Sequence, residues 1–262
     1  MAATVQEIKQ MLLQANDESF VVLERSLSAD TRKGVRSAVE STRRRLEVQR
    51  AEAARLNGLY EFQESIAAER GGRVVLGLDE VGRGSIAGPL AVGGVVLPDE
   101  PHIQGLNDSK QLSPAKREEI AAQIKEHAVA WTVQYVEPDV IDSIGMTASL
   151  RRAFSSAIAQ IEKAGIEVDV VLLDGNAMHL DKREVNVIKG DARCASIAAA
   201  SIVAKVERDA LMTRYAVEYP QYDLEDCKGY GSAKHIAAIK QHGLSPIHRA
   251  SFCTSFMQET LF

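Results

Sequence analysis

The residues best suited to chemistry are two adjacent carboxylates, Asp79 and Glu80, followed by the turn Gly82-Arg83-Gly84. They come directly after the apolar run 74–78, which the sequence predicts to be a buried strand. Adjacent carboxylates repel each other, and glycines lose much backbone entropy on folding, so this arrangement is costly for stability alone. It therefore indicates a metal ion held by the carboxylates and a ligand that approaches the glycine backbone.

Two further predicted strands also end in a carboxylate beside a glycine. Asp174-Gly175 follows one of them, and Gly190-Asp191 follows the other. If the strand ends are neighbours in one sheet, four carboxylates meet at one edge and cannot all stay ionised without compensation. Taken singly, Asp174-Gly175 is also a common turn pair, and Asp191 could cap the next helix. The repeated layout favours a shared site.

Oxygen ligands of this kind suit Mg²⁺ or Mn²⁺ rather than zinc. Two such ions commonly activate a water and stabilise the leaving oxygen in phosphodiester cleavage. The carboxylates therefore predict a metal-dependent hydrolase of phosphodiesters.

Composition indicates a globular protein without a membrane segment. Of its 262 residues, 45% are hydrophobic and 26% are charged. No apolar run approaches the ~20 residues that a membrane span needs, and residues 1–10 lack a secretory pattern. The three cysteines have no metal-binding spacing, which favours a reducing cytoplasm. The net charge of −5 does not indicate a nucleic-acid ligand, although a local basic track can lie on an acidic protein.

Residues 1–70 differ in pattern from residues 71–262. The first segment lacks proline and has helical apolar spacing, so we predict an all-helical N-terminal extension with a long helix over 31–67. Its basic stretch 32–55 is interpreted as a solvated helix face, with nucleic-acid contact as the alternative. The second segment alternates strands and helices, which predicts an α/β catalytic domain with a C-terminal helical segment and tail. Strands are expected at 74–78, 90–97, 130–136, 168–173 and 185–188, and helices from 114, at 139–164, 193–219 and 233–242, before an irregular tail.

The chain resembles the ribonuclease HII family, the type 2 ribonucleases H, over residues 73 to about 252. The resemblance is carried by Asp79-Glu80-Val81-Gly82-Arg83-Gly84 with Ala87-Gly88-Pro89, Asn107-Asp108-Ser109-Lys110, Asp174-Gly175, Lys189-Gly190-Asp191, the alanine-rich run 196–209, Lys228-Gly229-Tyr230-Gly231-Ser232 and His248-Arg249-Ala250-Ser251-Phe252. The helical extension is similar, more loosely, to that of ribonucleases HII from some Gram-positive bacteria.

The resemblance implies an RNase H-like mixed sheet flanked by helices. It also implies hydrolysis of RNA in RNA/DNA hybrids and cutting on the 5′ side of a ribonucleotide embedded in DNA, with 3′-hydroxyl and 5′-phosphate products. By the same resemblance, Asp79, Glu80, Asp174 and Asp191 are the catalytic metal ligands for Mn²⁺ or Mg²⁺.

The resemblance also assigns substrate contacts. Gly82, Arg83 and Gly84 would sense the ribose 2′-hydroxyl, the group that distinguishes RNA from DNA at one nucleotide. Tyr230 would pack against the following sugar, although a tyrosine among glycines is commonly structural. Lys110 and Lys228 are candidate phosphate contacts, with ordinary surface lysines as the alternative.

The C-terminal residues Gln258-Glu259-Thr260-Leu261-Phe262 are similar to peptides that dock bacterial proteins on the replication sliding clamp. Gln258 would be a polar anchor, and Leu261 and Phe262 would fill an apolar pocket; folding back onto the same domain is the alternative. We expect a cytoplasmic monomer.

Two other functions are compatible with parts of the sequence. A type 3 ribonuclease H shares the fold and carboxylates, but Arg83 and Tyr230 argue against it. A non-catalytic hybrid-binding module is disfavoured because all four carboxylates are intact.

Overall fold

The computed structural model describes residues 3–257. The chain divides into two compact units between Asn57 and Gly58. Helix α3 covers Lys33–Glu69, so the division falls inside this helix. The domain boundary predicted between residues 70 and 71 stays a prediction.

The first unit contains helix α1 (Val5–Gln14), helix α2 (Asp17–Leu27) and the first part of α3. Its core is apolar and buried, with Ile8, Leu12, Ala15, Phe20, Val35 and Leu46. The arginines of the basic stretch have partners within this unit: Arg43 binds Glu24, Arg50 pairs with Asp17, and Arg45 donates to the Ala15 carbonyl. These contacts favour the interpretation of the stretch as a helix face rather than as a dedicated nucleic-acid contact.

The second unit contains the sheet. Its strands are β1 (Val75–Val81), β2 (Leu90–Val96), β3 (Ala130–Val136), β4 (Val170–Asp174) and β5 (Glu184–Val187). Its helices after α3 are α4 (Pro114–His127), α5 (Pro138–Ile144), α6 (Met146–Lys163), α7 (Ala195–Glu218), α8 (Leu224–Cys227), α9 (Ala233–His242) and α10 (Ala250–Met257). Short 3-10 turns cover Gly190–Ala192 and Pro220–Tyr222.

The strand order is β3-β2-β1-β4-β5. Strand β1 is antiparallel to β2 and parallel to β4, and β4 is parallel to β5. The predicted mixed sheet flanked by helices, preceded by an all-helical segment, is confirmed. Because β1, β4 and β5 run in the same direction, their carboxyl ends lie at one edge of the sheet.

Alternate residues of the strands pack against different layers of helices. Leu76, Leu78, Val171 and Leu173 share a core with Phe154 and Ile158 of α6, whereas Val75, Val170 and Leu172 share a core with Ile197 of α7 and Ala67 of α3. Helix α7 lies very close to the sheet, since a Cβ on Gly77 would overlap the backbone of Ser196 and one on Gly93 would overlap the Ala200 carbonyl. The small side chains of Ala198, Ala199 and Ala200 in α7 allow this close approach.

The structure differs from the predicted elements in three places. The helix predicted over 139–164 is two helices, divided at Gly145, whose φ of +79° interrupts the helical backbone. The residues predicted to be an irregular tail form α10 over Ala250–Met257, because Asp142 of α5 accepts hydrogen bonds from the Ala250 and Ser251 amides. Strand β1 also extends through Val81, so Asp79 and Glu80 lie within it. None of the helices among the described residues combines the length and apolarity needed to cross a membrane.

Candidate active site

The two carboxylates of β1 lie in different surroundings. Asp79 is 6% exposed, whereas Glu80 is partly buried and pairs with Arg83 at 3.5 Å. Burial raises the pKa of Asp79 well above its usual value; a hydrogen bond from Ser201 opposes the rise, and the charges of Glu80 and Asp174 add to it. Burial also raises the pKa of Glu80, with the Arg83 charge in opposition. Both groups are therefore held where a negative charge is costly without a cation.

The other two carboxylates follow β4 and β5. Asp174 is the last residue of β4, and its Oδ1 accepts the Gly190 amide at 2.6 Å. Burial raises the pKa of Asp174, and the Asp191 charge contributes to the rise. Asp191 lies in the 3-10 turn after β5, is 8% exposed, and accepts a bond from Lys110 Nζ at 3.3 Å. The parallel strands thus bring all four predicted carboxylates to one sheet edge.

The carboxylates are electrostatically coupled but do not form a ready-made cage. In residues 3–257, no three His, Cys, Asp or Glu side chains converge closely enough to hold a metal ion as they stand. Each carboxylate instead has its own protein partner, such as the Glu80 amide for Asp79 and the Gly190 amide for Asp174. The donor set consists only of carboxylate oxygens, which is the chemistry that Mg²⁺ and Mn²⁺ accept. It therefore fits these ions in ligand type.

The glycine turn after β1 is shaped by its neighbours. Gly82 has a φ of +83°, and a Cβ at this position would overlap the guanidinium of Arg208. Gly84 is exposed and has open space beside its α-carbon. The side chain of Arg83 is 66% exposed. Glycine is therefore required at position 82 by backbone and packing, whereas at position 84 it leaves room for another molecule.

Two buried arginines organise the loop 82–89. Arg208 of α7 donates to the carbonyls of Ala87, Pro89 and Lys228 and to the Ser85 hydroxyl, at 2.8–3.1 Å. Arg249 donates to the carbonyls of Arg83 and Gly88 at 3.1 and 3.0 Å. Both arginines are 0% exposed. Burial, followed by the Arg208 charge, lowers the pKa of Arg249 to about 9.

Tyr230 lies beside this loop. Its neighbour Gly229 accepts the amides of Ile86 and Ala87, and the Tyr230 ring lies over the Arg208 guanidinium at 5.7 Å. The ring is partly exposed, and the Tyr230 carbonyl accepts from His235 Nδ1 at 2.9 Å. The predicted residues Gly82, Arg83, Gly84 and Tyr230 therefore belong to one connected surface next to the carboxylates.

A pair of histidines fixes the position of Tyr230. His235 Nε2 lies 3.1 Å from His248 Nε2, and His248 Nδ1 accepts from the amide and the hydroxyl of Ser245. Since His235 Nδ1 must donate to a carbonyl, its Nε2 must accept the proton of His248 Nε2. Every ring nitrogen therefore has a partner when both imidazoles are neutral.

The remaining predicted residues divide into two groups. Lys110 contacts the carboxylates of Asp191 and Asp108, whereas Lys228 donates to Thr213 at 2.7 Å. Burial lowers the pKa of Lys110, but the nearby carboxylates of Asp191, Asp108 and Asp79 together outweigh that effect and the pKa is raised. Gln258, Leu261 and Phe262 lie outside the described residues.

Sequence reasoning gave no role to Arg208, Arg249, His235 or His248, although most of them stand in the quoted motifs. An arginine within an alanine-rich, buried helix face was an available signal, because arginine is rarely buried without partners.

Comparison with known proteins identifies the family. The family model for ribonuclease HII matches residues 76–255, and that for the ribonuclease HII N-terminal domain matches residues 4–67. A ribonuclease HII of Listeria monocytogenes is 38% identical over 252 residues, covering 96% of this chain and 95% of the relative. A ribonuclease HII of Ruminiclostridium cellulolyticum is 42% identical over 210 residues, covering 79% and 80% of the two chains.

A solved structure supports the same assignment. The ribonuclease HII in the PCNA:RNase HII complex from Archaeoglobus fulgidus matches with a TM-score of 0.60 and 26% identity, covering 71% of this chain and 98% of that chain. The predicted RNase H-like fold is thereby confirmed. From its sequence, its fold and these relatives, the chain belongs to the ribonuclease HII family and is a ribonuclease H, an endonuclease.

Proposed function

We propose that the protein hydrolyses the RNA strand of RNA/DNA hybrids and cuts on the 5′ side of ribonucleotides embedded in duplex DNA, leaving 3′-hydroxyl and 5′-phosphate ends. One observation carries the proposal: strand β1 delivers two site carboxylates and continues directly into the loop 82–89. The backbone proposed to contact the ribose is thus only a few residues from Asp79 and Glu80, which are proposed to act on the adjacent phosphate.

We propose Asp79, Glu80, Asp174 and Asp191 as ligands of two divalent cations, Mg²⁺ or Mn²⁺. The raised pKa values of the first three support this proposal. The Lys110 ammonium at Asp191 supports it too, because it shows that this edge accepts positive charge. Bound cations would supply an activated water and would offset the charge that develops on the phosphate.

The chain's own residues would select the cleavage site. The exposed backbone at Arg83 and Gly84, with open space at Gly84, would approach the ribose and hydrogen-bond its 2′-hydroxyl. The partly exposed ring of Tyr230 would pack against the next sugar and favour a deoxyribose there. Lys110 and Lys228 are proposed phosphate contacts.

The test uses four duplexes of one sequence: all DNA, one ribonucleotide, four ribonucleotides and a full RNA/DNA hybrid. We expect Mg²⁺- or Mn²⁺-dependent nicking of the last three, 5′ to the single ribonucleotide, and a loss of about 10²–10³-fold in Asp174→Asn, the range for removing one electrostatic contact to the developing charge. Resistance of the single-ribonucleotide duplex together with cleavage of the hybrid would instead match a type 3 activity. Wild-type rates in Asp174→Asn would contradict the carboxylate assignment.

A clamp contact is also proposed, through Gln258, Leu261 and Phe262. The homologue from Archaeoglobus fulgidus was solved in complex with PCNA, and the tail here has a clamp-peptide pattern. Deleting residues 258–262 should abolish binding to the bacterial sliding clamp without changing cleavage of short duplexes. Unchanged clamp affinity in the deletion variant, or no affinity in the full chain, would refute this contact.

We propose that the enzyme acts as a monomer in the cytoplasm. Its three cysteines are free thiols, which supports a reducing compartment.

A further inference from the structure

The start of helix α7 lacks a cap of its own. The first amides of a helix have no partners within it, and the residue before the helix commonly supplies an oxygen to them. Here that residue is Cys194, whose side chain makes no capping bond. The missing acceptor comes from α3: Gln63 Oε1 accepts the Ser196 amide at 2.9 Å. The Cys194 thiol also donates to this oxygen, at 3.6 Å.

This contact lies inside the protein. Gln63 is 8% exposed, and Ser196 and Cys194 are 0% exposed. Beside it, the Arg193 guanidinium lies over the Phe62 ring at 4.4 Å. Since water does not reach the Ser196 amide, loss of the Gln63 oxygen would leave this amide unsatisfied.

The segment held by Gln63 leads directly to a proposed metal ligand. Asp191 lies in the turn Gly190–Ala192, and only Arg193 and Cys194 separate this turn from α7. The Cys194 amide donates to the Gly190 carbonyl at 2.8 Å, and the Gly190 amide donates to Asp174. A Cβ on Gly190 would overlap the Ile197 side chain, so the turn packs tightly on the first turn of α7. A shift of the helix start would therefore displace Asp191.

We propose that Gln63 is a positioning residue for Asp191, so that the last turns of α3 form part of the catalytic machinery. This inference rests on the proposed function of the carboxylates. Partners behind metal ligands commonly change metal affinity or activity by 10–100-fold when removed. We expect the same range here. Without Gln63, the turn 190–192 would keep the hydrogen bond from the Gly190 amide to Asp174 but would lose the fixed start of α7 on its other side.

The test compares Gln63→Met, which keeps the length but removes the acceptor, with Gln63→Glu, which keeps an acceptor suited to a helix N-terminus. Gln49→Met on the exposed face of α3 is the control. Mn²⁺ affinity is measured by electron paramagnetic resonance, and hybrid cleavage is followed against Mn²⁺ concentration. We expect about 10–100-fold weaker Mn²⁺ binding in Gln63→Met, with Gln63→Glu within about threefold of wild type and the control unchanged.

A rescue variant separates positioning from general stability. Cys194→Ser gives α7 a capping hydroxyl of its own, so adding it to Gln63→Met should restore Mn²⁺ affinity. It also provides the test if Gln63→Met alone folds poorly. Wild-type Mn²⁺ affinity in Gln63→Met, or no recovery in the double variant, would overturn the inference. If the wild-type enzyme does not cleave in Mn²⁺, the proposed function itself fails, which is a different outcome.

Discussion

Replacing Arg208 with methionine should unfold the loop 82–89 and weaken the whole second unit. The guanidinium is the donor for the buried carbonyls of Ala87 and Pro89, the partly buried carbonyl of Lys228 and the Ser85 hydroxyl. Burial lowers the pKa of Arg208, which shows that the charge itself is costly in this place. Removing the arginine relieves that cost but leaves its partners without a donor.

The magnitudes decide which effect dominates. An unsatisfied buried acceptor costs about 1–3 kcal/mol, so the two buried carbonyls amount to about 2–6 kcal/mol before relaxation. Breaking a buried hydrogen-bond network is among the causes of the largest effects of single substitutions, and we expect a loss of about 3–5 kcal/mol here. For a unit of this size, each kcal/mol lowers the melting temperature by about 2–4 °C, which gives a decrease of about 6–20 °C. Arg208→Lys, with one donor group instead of a fork, should lie between methionine and wild type.

The assay is urea unfolding with Arg214→Met, an exposed position of the same helix, as the control. Cleavage of the single-ribonucleotide duplex is measured below the melting temperature of each variant. We expect at least a tenfold loss of cleavage in Arg208→Met, because the loop that reads the sugar loses its shape. Stability within about 1 kcal/mol of the control would refute the reasoning, since surface substitutions fall in that range.

Three further predictions concern other parts of the molecule. A chain of residues 58–262 should fold, whereas 71–262 should be insoluble or melt far lower, because it lacks the buried Leu59, Tyr60 and Ala67 of α3; equal melting temperatures by circular dichroism would contradict this. Asp79→Asn should stabilise the metal-free protein at pH 7 by about 0.5–2 kcal/mol while abolishing cleavage. The pKa of Asp79 is raised in the folded state, so as the pH rises the unfolded chain releases this proton before the folded protein does. The stability that Asp79→Asn adds to the wild type, measured by urea unfolding, should therefore shrink as the pH falls towards 3.8. A stability gain independent of pH would contradict this prediction. Burial and the neighbouring imidazole lower the pKa of His248 from 6.5 to about 4. As the pH falls, the unfolded chain therefore binds this proton before the folded protein does, and the folded protein should lose about 3 kcal/mol of stability between pH 6.5 and about 4. His248→Gln should make the unfolding free energy depend less on pH in this range. An unchanged pH dependence would show that His248 is not its source.

Much of the site could be predicted because its signals are local. The strands that carry or precede Asp79, Asp174 and Asp191 follow from apolar runs in the sequence, and the close packing of α7 follows from its alanines. The sequence pattern also placed β3 and α9 at their observed ends.

The remaining features depend on contacts between residues distant in sequence. Asp142 caps α10 from more than 100 residues away, and Gln63 caps α7 from 133 residues away. The loop 82–89 takes its shape from Arg208 and Arg249, whose hydrogen bonds cannot be inferred from their own neighbours. Local pattern also could not show that the last turns of α3 share a core with the sheet.

Mn²⁺ anomalous diffraction from crystals of the enzyme with a duplex carrying one ribonucleotide would locate the metal ions directly. We expect Mn²⁺ signals bounded by the carboxylates of Asp79, Glu80, Asp174 and Asp191, with the ribose against Gly84. Mn²⁺ bound elsewhere, or not at all, in enzyme that cleaves the same duplex in Mn²⁺ would contradict this expectation.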